Sequence, residues 1–285
     1  MKRNLIFLVL TLLCAGMFAL FLVSHRSRTD LQPPEITFSQ QMPEVSVQDK
    51  EALLEGVTAT DRKDGDVSQS VVVSEIRLLE ADGTIQVTYA AFDRAGNVTQ
   101  ATRKAKFTDY ESPRFSLKSS MTFPLNSGFD VFREVQASDM LDGDISHRVR
   151  ITSMDEKTLS ALGMSQVELR VSNSLGDTVK QEIPVEVYDP TVYSAKLTLT
   201  DYLVYVPVGT QLQEKSYLQN YIRGNVTLDL QKKLPEGCAL NVKSNVRSDV
   251  PGVYTVEYRL TQTVGTNANT SSYTGYAKLI VVVEG

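Results

Sequence analysis

The stretch VTATDRKDGDVS at residues 57–68 returns as VQASDMLDGDIS at residues 135–146. In both copies small or apolar residues (Val57 and Ala59; Val135 and Ala137) alternate with polar ones. Alternation with period two marks a strand with one buried face. An Asp-Gly-Asp step follows. Gly65 and Gly143 can take a positive φ at little cost, which suits a tight turn. Asp61 and Asp139 stand where a carboxylate can accept hydrogen bonds from the amides of that turn. The repeated unit is therefore a strand, an Asp-capped turn and a second strand.

Outward from this pair, FDRAGN at 92–97 is matched by SNSLGD at 172–177. Asp93 and Asn97 can cap this second turn as Asp61 caps the first. Ile85 to Tyr89, Gln166 to Val171 and Val253 to Tyr258 alternate apolar and polar residues and read as strands. Thr108-Asp109 and Tyr188-Asp189 close the two copies, and Glu111-Ser112-Pro113 and Pro190 mark the joints. A weaker third copy fits by position: Arg223-Gly224-Asn225-Val226 replaces the Asp-Gly-Asp turn, and Lys278 to Val283 is the last strand. Self-similarity at a fixed period implies one supersecondary unit used repeatedly. The expectation is an all-β chain of tandem sandwiches over residues 35–110, 111–190 and 191–285. Short helices are expected only at 156–162 and 213–221, and a mobile hairpin loop at 265–272.

The V-T-A-T-D run, the D-G-D-V/I turn and the YAAFDRAGNVT hairpin at 89–99 resemble the bacterial immunoglobulin-like domain of pesticidal crystal proteins and bacterial surface proteins. They are similar also to hyalin-repeat modules. The match is strongest in the first copy, weaker in the second and by position alone in the third. The resemblance implies an immunoglobulin-like sandwich serving as a spacer or adhesive module, without catalysis.

Ahead of the repeats, residues 5–23 run without a charge between Lys2-Arg3 and Arg26-Arg28. At about 1.5 Å per residue this spans about 28 Å, against a hydrocarbon core of about 30 Å. A cleaved leader has a shorter apolar region and a small-x-small exit. Residues 1–28 are thus read as an uncleaved transmembrane anchor and 29–34 as a linker stiffened by Pro33-Pro34. Leu13, ahead of Cys14, does not suit lipoprotein processing. Basic residues flank both ends, so charge alone barely sets the orientation. An exported module array places the C-terminal region outside a single-pass plasma-membrane anchor.

The net charge is −5 over 285 residues, and no cluster of Lys and Arg follows residue 30. This disfavours a nucleic-acid partner. With two cysteines, one of them in the apolar run, the exported part forms no disulfide of its own. The oxygen donors Asp61, Asp64, Asp66 and Asp93 fall at one end of the first sandwich, and Asp139, Asp142, Asp144 and Asn173 at the same end of the second, next to Asp109 and Glu111 of the joint. Such hard oxygen donors suit Ca²⁺, which takes about 6–8 of them. The same residues also serve as turn caps with no ligand at all, and the third copy lacks them. Glycosidase acid–base work needs one pair across a cleft, not tandem pairs in turns. His25 and His147 have no nucleophile partner in sequence, and no cofactor fingerprint is present.

The functional expectation is a membrane-anchored, non-enzymatic bacterial surface protein for spacing, adhesion or ligand binding. Nine tyrosines between Tyr193 and Tyr276 make the last third the expected contact surface for a protein or glycan partner. The alternatives are a subunit of an envelope complex, packed through Ala15, Gly16 and Ala19, and an accessory protein of carbohydrate processing.

Overall fold

The computed structural model describes residues 10–21, 30–154, 160–232, 234–266 and 269–285. The chain falls into two compact units, Met1–Tyr110 and Glu111–Gly285.

In the first unit the strands are β1 (Glu35–Phe38), β2 (Glu44–Val45), β3 (Val57–Asp61), β4 (Gly65–Asp66), β5 (Val72–Leu78), β6 (Thr84–Phe92) and β7 (Val98–Phe107). They form two sheets, ordered β1-β3-β4 and β2-β7-β6-β5. The expected alternation is the packing pattern: Val57, Ala59 and Asp61 are buried while Thr58 and Thr60 face out. Ile85, Val87 and Tyr89 of β6 close the core with Ala105 and Phe107 of β7. The opening segment changes sheet. β1 pairs antiparallel with β3, then β2 pairs parallel with β7.

The second unit repeats this order. Its strands β8 (Arg114–Leu117), β9 (Thr122–Pro124), β10 (Val135–Asp139), β11 (Gly143–Asp144), β12 (Arg150–Met154), β13 (Gly163–Ser172) and β14 (Thr178–Tyr188) form sheets β11-β10-β8 and β12-β13-β14-β9. Even the irregularities recur. β5 slips register between Val73 and Glu75, and β12 between Ile151 and Ser153. The Asp-Gly-Asp glycines have φ of 75° at Gly65 and 69° at Gly143, a conformation in which a side chain would be strained.

Residues 195–284 depart from the two-sheet plan. The strands β15 (Ala195–Leu199), β16 (Leu203–Pro207), β17 (Leu218–Arg223), β18 (Val226–Asp229), β19 (Cys238–Ser244), β20 (Gly252–Thr266) and β21 (Asn269–Glu284) belong to one seven-stranded sheet. β21 is long enough to take β15 at its middle, Gly275 and Tyr276, and β16 along its last part, both parallel. Tyr221, Val256, Tyr258, Leu260 and Leu279 fill its core. The strands extend into the stretch expected to be a loop, with Thr266 opposite Asn269. The helix expected at 213–221 is a single 3-10 turn, Glu214–Tyr217, followed by β17. Most of the one expected at 156–162 lies outside the described residues.

Leu203 and Ile280 of this last sheet are buried in the same core as Phe115, Val167, Leu169 and Ile183. Tyr205 Oη accepts from the Phe115 amide at 3.1 Å, and Ser120 Oγ accepts from the Lys278 amide at 2.9 Å. Residues 111–190 and 191–285 therefore stand or fall together, and removal of residues 191–285 would open the core of 111–190.

Residues 10–21 are helical. Among the described residues no helix is long and apolar enough to cross a membrane. The expected span, 5–23, continues on both sides into residues outside the described set.

Candidate functional site

Each carboxylate of the repeated turns is held by its own chain neighbours. Asp61 Oδ1 accepts from the amides of Lys63 (2.7 Å) and Asp64 (2.8 Å), as Asp139 Oδ1 does from Leu141 (2.9 Å) and Asp142 (3.1 Å). Asp66 and Asp144 accept from the amide and hydroxyl of Ser68 and Ser146. Asp64 Oδ2 reaches across to the Arg94 amide at 2.9 Å, and Asp142 Oδ2 to the Ser174 amide at 2.7 Å. These bonds tie the two turns of each copy together. Asp109 is bound within its own unit, to the Val47 amide and the Ser46 hydroxyl.

Hydrogen bonds to the charged form lower a carboxyl pKa. The Ser68 and Ser146 groups hold Asp66 and Asp144 below the usual range, and Val47 and Ser46 do so for Asp109. Burial pushes Asp93 and Asp142 up. For Asp93 the Asn97 donors outweigh it, and for Asp142 those of Ser174 and Arg148, so both end low. A carboxyl depressed in the folded state adds stability that is complete above its unfolded value, about 4, and is lost as pH falls through the folded value. The melting temperature should thus hold from pH 6 to about pH 4 and drop below that, with a smaller drop in an Asp66→Asn/Asp144→Asn variant. A melting temperature unchanged down to pH 2 would contradict this assignment.

Of the expected ligand residues, the fold brings Asp64 and Asp93 together, and Asp61 is buried beside them. Asp66, Asp109 and the three carboxylates of the second copy do not join this group. Asp30, which the sequence reading passed over, does: one oxygen each of Asp30, Asp64 and Asp93 lies within 4.8 Å of the others. Asn97 Nδ2 donates to the backbone oxygens of Asp30 (3.2 Å) and Gln32 (3.4 Å), seating the leading segment against the turn. The available signal was position, since Asp30 precedes its copy as the joint carboxylates precede the next.

A second feature lies in the unit Glu111–Gly285. A groove of about 510 Å³ is lined by Tyr188, Tyr193, Tyr202 and Tyr276 with Lys118, Ser119, Glu134 and Lys196. Tyr193 stacks on Tyr276 (centroids 5.0 Å, 8°) and meets Tyr188 edge-on at 4.8 Å. The tyrosines of the last third divide between roles. Tyr221 and Tyr258 are fully buried, and Tyr205 is pushed up to about 12 by burial, while Tyr193 and Tyr276 face the groove.

No protein-family model and no curated sequence matches the chain. Solved structures similar to it include the CBM51-2 (in complex with GlcNAc) and INT domains of Clostridium perfringens ZmpB, at 12% identity over 88% of this chain and 41% of that one, TM-score 0.23. Extracellular cadherin domains 1–5 of protocadherin gamma B2 match at 11% over 89% and 60%, TM-score 0.21. Human protocadherin-24 EC1-2 matches at 12% over 61% and 99%, TM-score 0.20. The chain spans less than two thirds of the first two.

Proposed function

We propose that this is a membrane-anchored, non-catalytic cell-surface binding protein, built from immunoglobulin-like modules of the bacterial surface-protein type. Its second unit captures a protein or glycan. The observation that carries the reading is the tyrosine-lined groove on a body stiffened by a shared core. Stacked tyrosines offer a large contact area at small entropic cost, and the ammonium, hydroxyl and carboxylate groups around them orient a polar partner. Anchoring is supported by the helical residues 10–21, where Leu10, Leu12, Leu13, Met17, Phe18, Leu20 and Phe21 are each more than half exposed. Such a surface is stable in lipid and costly in water.

Two measurements on cells making the full chain test this. Protease added outside should cut within residues 30–285. Tyr193→Ser with Lys196→Glu should reduce capture of glycan- or protein-coated surfaces about tenfold or more, the scale of one lost aromatic anchor. Full protection from protease, or capture unchanged by the double substitution, would overturn the reading.

A further inference from the structure

The two tandem copies balance their turn carboxylates differently. In the second copy Asp139 Oδ2 accepts from Asn173 Nδ2 at 3.1 Å, and Arg148 pairs with Asp142 at 2.5 Å. An amide and a guanidinium thus satisfy the site from within. The first copy has the same backbone. Asp93 bonds Asn97 as Asn173 bonds Asp177, and Arg94 meets Asp64 as Ser174 meets Asp142. Yet Asp93 stands where the second copy has Asn173, and Ser70 where it has Arg148.

The consequence is visible at Asp61. It is only 6% exposed, and its Oδ2 meets no hydrogen-bond donor among the described residues. The matching oxygen of the second copy, Asp139 Oδ2, accepts from Asn173, and the first copy has Asp93, 8% exposed, in the place of that donor. Asp30 Oδ2 is likewise buried without a donor. Among the described residues no ion pair reaches Asp30, Asp61, Asp64 or Asp93. A buried carboxylate oxygen left without a donor or a cation is strongly unfavourable.

We propose that Asp30, Asp64 and Asp93, with the buried Asp61 bonded to the Asp64 amide behind them, form a Ca²⁺ site of the first module, and that the second module has replaced the ion with Asn173 and Arg148. Oxygens each about 2.4 Å from one Ca²⁺ can lie up to about 4.8 Å apart, the limit within which the Asp30, Asp64 and Asp93 oxygens fall. Water fills the remaining positions. Mg²⁺ demands a tighter octahedron of about 2.0–2.1 Å and gives up its waters reluctantly, so the site favours Ca²⁺. Because Asp30 lies ahead of β1, the ion ties the leading segment to the turns of the first sandwich.

Calorimetric titration of the full chain in detergent, stripped of metal, tests this with CaCl₂ and MgCl₂. One saturable Ca²⁺ site is expected, with affinity on the order of 0.1–1 mM as in extracellular modules, together with a rise in melting temperature on adding Ca²⁺. Asp93→Asn, which installs the second copy's own residue, should fold and lose both responses. Asp30→Asn should weaken binding at least tenfold. Asp144→Asn should leave it unchanged. No Ca²⁺ heat up to about 10 mM, equal affinity for Mg²⁺, or an Asp93→Asn variant that still binds would overturn the site.

Discussion

Replacing Arg103 by Ile should destabilise the first unit by about 3 kcal/mol, the cost of stranding two or more buried acceptors. Arg103 is 4% exposed. It has no carboxylate partner among the described residues. Its guanidinium donates instead to the backbone oxygens of Gln40 (2.9 Å), Leu53 (2.8 Å) and Glu55 (3.2 Å) and to Tyr89 Oη (3.0 Å). The rings of Phe38 and Tyr89 each lie 5.2 Å from it. A planar fork of donors can serve this set where an ammonium cannot, so Arg103→Lys should also lose stability. At the matching positions the second module has Ile183 and Leu169, an apolar pair, for Arg103 and Tyr89. Arg103→Ile with Tyr89→Leu should therefore cost less than the sum of the two single changes, by about 1–2 kcal/mol of coupling. Hydrogen exchange of β6 and β7 amides reads the first unit separately from the second. Protection unchanged by Arg103→Ile would show that the carbonyls find water at no cost.

Glu186→Gln should destabilise the second unit by about 3–5 kcal/mol, the usual effect of leaving one member of a buried pair alone. The Lys278 side chain is 1% exposed and pairs with Glu186 at 2.5 Å, with Glu257 no nearer than 4.0 Å. Tyr276 donates to the same carboxylate at 3.2 Å. Burial, then the charge of Glu186, holds the Tyr276 hydroxyl far above its ordinary pKa, so it remains a donor throughout. The reverse change, Lys278→Met, leaves Glu186 with 23% of its side chain exposed and open to water. It should cost about 1–2 kcal/mol, and Lys278→Met with Glu186→Gln less than Glu186→Gln alone. Exchange of β14 and β21 amides measures each. Equal losses for the two single variants would refute the asymmetry. In the first module the same strand position is Lys106, whose pair with Asp82 is in solvent and is worth little.

Much of the fold was legible because its signals are local. Asp61 with Lys63 and Asp64, or Asp66 with Ser68, are bonds across two or three residues, so the letters that make them stand side by side. The strands of the first two modules show in their alternation, since a sheet with one wet face exposes every second residue. Arg103 was opaque because an Arg on an alternating strand reads as an outward residue. Its acceptors lie 14 to 63 positions away. The course of β21 was opaque too: sixteen residues pairing with three different strands is not a periodicity. Asp30 stands 34 residues from Asp64 and 63 from Asp93 by numbering, and nothing in its own neighbourhood announces that convergence.

By itself, then, the sequence determined the repeated strand-and-turn unit, the caps of its turns and the all-β character of the chain. Those depend on each residue's immediate neighbours and on which face of a strand it occupies. Only the tertiary structure decided which carboxylates share a space, which cation is buried with which acceptors, and that residues 111–190 and 191–285 fill one core. Burial and charge pairing depend on distances across the fold, which chain order does not record.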